Sequence, residues 1–145
     1  MAYGIWKNIS NECIVSIRNM AKILLVEDDP MMLRLYERVL GVVGHVVVLA
    51  EDGDAGLTKA VNEVPDLILL DIMMPKRNGM EVLEELKKDK RTKDIPVVVI
   101  TNLAGDANAE EAIAKGAERY IEKSAYEPKQ IEEIVSQVLA SRGKK

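Results

Sequence analysis

Residues 66–80 read Asp66-Leu67-Ile68-Leu69-Leu70-Asp71-Ile72-Met73-Met74-Pro75-Lys76-Arg77-Asn78-Gly79-Met80. Four consecutive apolar residues without alternation predict a strand buried on both faces. The run stops at one carboxylate, Asp71, ahead of a loop bounded by Pro75 and Gly79. Open α/β sheets place their chemistry at the carboxyl ends of parallel strands, so Asp71 is the first candidate for function.

The same rhythm extends to both sides of this stretch. Upstream, Ile23 to Val26 is a short apolar run delivered into Glu27-Asp28-Asp29-Pro30. Pro30 suits a first helical position with Asp29 as N-cap, and Leu33, Tyr36, Val39 and Leu40 follow at helical spacing until Gly41 and Gly44. His45 to Leu49 reads as a second strand, and residues 54–61 as a weaker helix with Leu57, Ala60 and Val61 on one face. Downstream, Asn78 and Glu81 predict a capped helix start before Val82, Leu83 and Leu86. Ile95 to Ile100 is a β-branched strand running into Thr101. Asn108 and Glu111 are expected to cap an alanine-rich helix that Gly116 closes. Arg119 to Ile121 reads as a fifth strand ending at Glu122-Lys123, and Pro128 opens a last helix whose stripe is Ile131, Ile134, Val135, Val138 and Leu139. Five strands alternating with five helices predict an α/β fold, a doubly wound five-stranded parallel sheet in the flavodoxin-like order 2-1-3-4-5.

Composition agrees with one such domain. The chain has 145 residues, 48% of them hydrophobic, no Phe and 3% aromatics, so its core is built from aliphatic side chains. A net charge of −4 argues against direct nucleic-acid binding, which requires a basic face. No apolar run is long enough to span a membrane. Residues 1–19 differ from the rest: they hold the only Trp, Trp6, and the only Cys, Cys13, and polar residues break every candidate secretory core. The expected division is an N-terminal extension, disordered or a mis-set start, over 1–19 and a folded domain over 20–145. A lone cysteine and no signal are consistent with a cytoplasmic protein.

In the predicted fold, strands one, three, four and five carry Asp28 with Asp29, Asp71, Thr101 and Lys123 to one edge of the sheet. Three carboxylates about 5 Å apart repel by roughly 3 kcal/mol per pair at an effective dielectric of about 20. A hard divalent cation relieves this, and oxygen ligands with no caging loop favour Mg2+, with Mn2+ also admissible. A cation, a lysine and a hydroxyl around one carboxylate make a site for a tetrahedral anion, and the chemistry implied is phosphoryl transfer onto Asp71. Each residue alone has a plainer reading, Asp29 as a cap, Thr101 as a local cap, Lys123 as a solvated lysine, Tyr120 as packing.

With these residues in place, the chain over 21 to about 141 resembles a two-component response-regulator receiver domain. The resemblance rests on Asp28-Asp29, Asp71 followed by Met74-Pro75 and Asn78-Gly79, Thr101, and Tyr120 three residues before Lys123. The separations also match those of the chemotaxis-type single-domain form, with Thr101 lying 30 residues and Lys123 lying 52 residues after Asp71. It implies that Asp71 is the phosphoacceptor, that Asp28, Asp29, Asp71 and the backbone carbonyl of Met73 hold Mg2+, and that Lys123 and Thr101 contact the phosphoryl group. Thr101 and Tyr120 would be the switch pair, remodelling a partner face made by the fourth helix, fifth strand and fifth helix. The donor implied is a histidine kinase or a histidine phosphotransfer protein, the output an unknown downstream protein, and the state a monomer or a phosphorylation-dependent dimer.

Two positions depart from the family pattern: Asn102 stands where a small residue follows the threonine, and Ser124 where a proline often follows the lysine. The few residues past Ala140 favour a stand-alone receiver, with a phosphorelay intermediate as the alternative. An aspartyl-nucleophile phosphatase is less favoured, because it needs an acid two residues past the nucleophile, where this chain has Met73. The expected role is a switch with weak self-phosphorylating and self-dephosphorylating activity, not a turnover enzyme.

Overall fold

The computed structural model describes residues 20–142. The expectations for the 1–19 extension, including Trp6 and Cys13, lie outside the described residues. Five strands, β1 (Lys22–Val26), β2 (Val46–Ala50), β3 (Leu67–Leu70), β4 (Val97–Thr101) and β5 (Arg119–Glu122), alternate with five helices. The helices are α1 (Pro30–Val42), α2 (Gly53–Glu63), α3 (Gly79–Lys88), α4 (Asp106–Ala114) and α5 (Pro128–Ser141). All strand pairings are parallel and the order is β2-β1-β3-β4-β5, as the alternation predicts.

Every residue of β3 is buried, because helices cover both faces of the sheet. On one face Leu24, Val26, Ile68, Leu70, Val97 and Val99 pack against α2, α3 and α4. On the other, Ile23, Leu25, Leu67, Leu69, Val98 and Ile100 pack against α1 and α5. The alternation along each strand thus splits one continuous apolar run between two cores. The predicted stripe of the last helix lies in the second core, with Ile131, Val135, Val138 and Leu139 buried and Ile134 packed against them.

Several boundaries differ from the sequence reading. Gly41 does not end α1, which runs through it to Val42; the turn is made at Gly44, whose φ of +100° suits glycine. His45 precedes β2; it is buried, with Nδ1 accepting from the Ala21 N–H at 3.0 Å. Helix α4 starts at Asp106 without a side-chain cap, behind Gly105 at φ +123°. Asn108, expected as its cap, lies inside the first turn and donates through Nδ2 to the Ala104 carbonyl. At α3 the Asn78 side chain accepts from the Met80 N–H as expected of an N-cap.

Candidate functional site

The carboxyl edge of the sheet opens into a cleft lined by Glu27, Asp28, Asp29, Met32, Asp71, Met73, Asn102, Lys123 and Ser124. Asp71 stands directly after β3, and its backbone N–H donates to the Val26 carbonyl at 3.0 Å, continuing the β1 to β3 ladder. The carboxylate is held from two sides: Oδ1 accepts from the Met73 N–H at 3.0 Å and Oδ2 from Lys123 Nζ at 3.2 Å. Behind it, Gly79 opens α3 against the strand end. A Cβ on Gly79 would fall 2.4 Å from the Asp71 carbonyl oxygen and 2.5 Å from Ile72 Cα, so only glycine admits this approach. The Gly79 N–H donates to the Ile72 carbonyl at 2.9 Å and closes the loop.

Lys123 follows β5 and begins a single 3-10 turn, Lys123–Ala125, so Ser124 sits in ordered structure at the cleft. Its ammonium bonds Glu27 Oε2 at 2.5 Å more closely than it bonds Asp71. Glu27 is buried, 1% exposed, and its N–H still donates to the Ala50 carbonyl at the end of the β1–β2 ladder. Burial, aided by the charge of Asp71, outweighs the hydrogen bond from Lys123 and pushes the Glu27 carboxyl up to about 7. Burial works against the Lys123 ammonium, but its bond to Glu27 and the charge of Asp71 more than offset this and hold it above the usual lysine range.

Among the described residues, carboxylate oxygens of Glu27, Asp28 and Asp71 come within 4.8 Å of one another. Asp29, which the sequence reading grouped with Asp28 and Asp71, lines the cleft but is not in this trio. It is the N-cap of α1, accepting from the Met31 N–H at 2.9 Å, while its own N–H donates to Glu27 Oε1 at 3.2 Å. Glu27 is therefore the acidic residue that sequence reasoning missed. The signal was present: Pro30 at the start of α1 commits Asp29 to capping and moves the acid pair one residue upstream.

Thr101 ends β4, fully buried, and does not line the cleft; its Oγ1 accepts from the Leu103 N–H at 3.1 Å. Asn102 takes the place at the cleft wall instead. Tyr120 is half-buried against the α2, α3 and α4 side of the core, and its hydroxyl donates to the Leu103 carbonyl at 2.5 Å. One loop residue, Leu103, thus joins the threonine and the tyrosine that the sequence singled out.

Oxygen donors alone, three of them carboxylates and two of these buried, suit a hard cation such as Mg2+. Lys123 supplies a fixed positive charge opposite them. This arrangement, at the carboxyl edge of a flavodoxin-like doubly wound sheet, is that of a phosphoryl-accepting signalling switch. The chain belongs to the response regulator receiver domain family, which residues 23–136 match. It is 34% identical over 137 residues to the probable transcriptional regulator ycf27 of Guillardia theta, an alignment covering 94% of this chain and 52% of that protein. It is 38% identical over 121 residues to the DNA-binding dual master transcriptional regulator RpaA of Synechocystis, covering 83% of this chain and 48% of that one. The chain spans about half the length of the curated relatives it matches. A CheY-like response regulator receiver domain protein from Methanospirillum hungatei superposes with a TM-score of 0.77 at 30% identity, covering 84% of this chain and 95% of that one. Among the described residues no helix is long and apolar enough to cross a membrane.

Proposed function

We propose that this chain receives a phosphoryl group on Asp71 from a phosphohistidine of a histidine kinase or histidine phosphotransfer protein. The observation that supports this reading best is the placement of Lys123 between Glu27 and Asp71, with Asp28 in the same acid cluster. An Asp71 carboxylate oxygen attacks phosphorus, the P–N bond breaks, and the imidazole leaves with its electron pair, so that an acyl phosphate is formed. The Met73 N–H and Lys123 hold the carboxylate in one orientation before attack, which removes rotational freedom from the step. Lys123 then turns from Glu27 and Asp71 to a phosphoryl oxygen. Glu27, Asp28 and Asp71 would hold Mg2+, with the Met73 carbonyl beside them, and the ion supplies neutralisation of charge on the transferring group. Asp29 contributes as the cap that fixes the acidic turn.

Thr101 and Tyr120 read the new charge. Rotation of Thr101 toward the phosphoryl group breaks its bond to Leu103, and Leu103 also anchors Tyr120. That shared residue gives the two switch positions a route to move together and to remodel the face of α4, β5 and α5. Met73 in place of a second acid leaves no general base for rapid hydrolysis, which favours storage of the phosphoryl group over turnover. We place the protein in the cytoplasm and its output in a protein partner or a further histidine domain. The matched relatives named as transcriptional regulators make a DNA-directed output the second reading.

The test is intact mass after incubation with Mg2+ and a small phosphoryl donor such as acetyl phosphate. The wild type gains one phosphoryl group and Asp71→Asn gains none. An unmodified wild type, or an equal adduct on the variant, overturns the assignment.

A further inference from the structure

Among the described residues, the core between the sheet and helices α1 and α5 holds one aromatic side chain, Tyr36 of α1. Tyr36 is 2% exposed and lies one helical turn past Met32, which lines the acidic cleft. It shares this core with Leu25, Leu69 and Ile121, which stand two residues ahead of Glu27, Asp71 and Lys123. Side chains alternate along a strand, so these three charged groups are on the same side of the sheet as Tyr36, one step nearer the carboxyl edge.

The hydroxyl is what a leucine or phenylalanine at this place would lack. A buried tyrosine ordinarily finds a partner for its O–H, yet among the described residues no hydrogen bond holds this one. Burial keeps it above the usual tyrosine range, so it remains a donor, and the charges that reach it are those of Lys123, Glu27 and Asp71.

In the resting site those carboxylates need no further donor, because Lys123 bonds Glu27 at 2.5 Å and Asp71 at 3.2 Å. Once Lys123 turns to a phosphoryl oxygen, Asp71 carries the phosphoryl group and Glu27 is left a buried carboxylate without its ammonium. The Asp29 N–H stays on Glu27 Oε1, but Oε2 has lost its donor. An ionised oxygen left in that state is costly, and a protonated phenol on the same side of the sheet can relieve it. A carboxylate accepts at about four sites, so a cation and the hydroxyl can share it. We propose, on the reading of Asp71 as phosphoacceptor, that Tyr36 is a positioning residue whose hydroxyl donates to Glu27 when Lys123 leaves it. The loaded site then depends on this hydroxyl and the resting site does not.

The variant is Tyr36→Phe, which keeps the ring in the core and removes only the oxygen. Calorimetric titration of the full chain with beryllofluoride, a phosphoryl analogue, at saturating Mg2+ gives an affinity about tenfold below that of the wild type. Urea midpoints in EDTA are alike for the two proteins. In the Glu27→Gln background at high Mg2+ the same substitution changes the affinity by less than about twofold, since the acceptor is no longer ionised. Carbon-13 NMR of tyrosine Cζ adds a readout that packing alone does not move. One resonance, absent from Tyr36→Phe, shifts when Mg2+ and beryllofluoride are added to the wild type. Equal affinities, an unmoved resonance, a loss that persists in Glu27→Gln, or an equal loss of stability in EDTA overturns the role of Tyr36 while phosphorylation of Asp71 stands. A wild type that binds no beryllofluoride and gains no phosphoryl group from acetyl phosphate overturns the proposed function and the role of Tyr36 together.

Discussion

Lys123 Nζ lies 2.5 Å from Glu27 and 3.2 Å from Asp71, so the ammonium is bound more tightly to the acid beside the phosphoacceptor than to the phosphoacceptor itself. On the proposed function Lys123 must release Glu27 to meet a phosphoryl oxygen, and a cation held by Glu27 would open that bond. Glu27→Gln removes one of three clustered carboxylates. Its Mg2+ affinity by calorimetric titration falls about tenfold or more, and phosphorylation recovers at high Mg2+. Asp29→Asn keeps the cap and changes Mg2+ affinity little. Equal losses in the two variants return Asp29 to the ligand set.

The raised Glu27 carboxyl makes metal-free stability pH-dependent. With a folded value of about 7 against 4.5 unfolded, the native state binds the extra proton between these limits. Stability contributed by this group is therefore greatest below about pH 4.5 and declines as pH rises through 7. In EDTA, the unfolding free energy of the wild type from denaturant titration falls from pH 5 to 8 relative to that of Glu27→Gln, by up to about 3 kcal/mol. The same proton is released on cation binding, so Mg2+ affinity rises over this range. A flat difference between the two proteins refutes the assignment.

Gly79 and Gly41 provide a paired test of backbone approach. Gly79→Ala drives a methyl into the Asp71 carbonyl and Ile72 Cα, both backbone atoms with little room to yield. It lowers stability by about 1–3 kcal/mol and slows phosphorylation by displacing the Asp71 loop. Gly41 sits within α1 with nothing within 4 Å of a Cβ, so Gly41→Ala raises stability by about 0.5–1 kcal/mol without touching phosphorylation. Urea midpoints and intact-mass time courses separate the two.

How much of this was legible follows from where each residue's role is decided. The β3 run, Asp71, Lys123 and the sheet order depend on apolar periodicity and chain-order rules, which the sequence displays directly. The choice among Glu27, Asp28 and Asp29 depends on where β1 stops to within one residue. Glu27 still donates to Ala50, so the ladder runs one residue past the apolar run. Boundaries of that kind are set by hydrogen bonds to distant strands, and the one local sign is Pro30, which puts Asp29 at the helix cap. Thr101 follows the plainer of its two readings, a local cap, because its partner is a backbone N–H two residues on and not the cleft. Gly79 was legible as a loop boundary beside the Asn78 cap, but the contact that demands glycine was not, since the atoms it avoids come into range only when α3 docks on β3.

Leu103 accepts from the Tyr120 hydroxyl and donates to Thr101 Oγ1, which predicts energetic coupling between two side chains that share no direct bond. Tyr120→Phe alone removes one hydrogen bond and costs about 1 kcal/mol, as does Thr101→Val. If Leu103 transmits the constraint, the double variant loses less than the sum, by about 0.5 kcal/mol or more, because the loop is already released after the first substitution. Hydrogen exchange locates the effect: in either single variant, amides 103–105 lose protection while those of β3 keep it. Initial phosphorylation of Asp71 in Tyr120→Phe stays near wild type, since the tyrosine does not line the cleft. Strict additivity with unaltered exchange in the 103–105 loop disposes of Leu103 as the link and leaves the two switch positions independent.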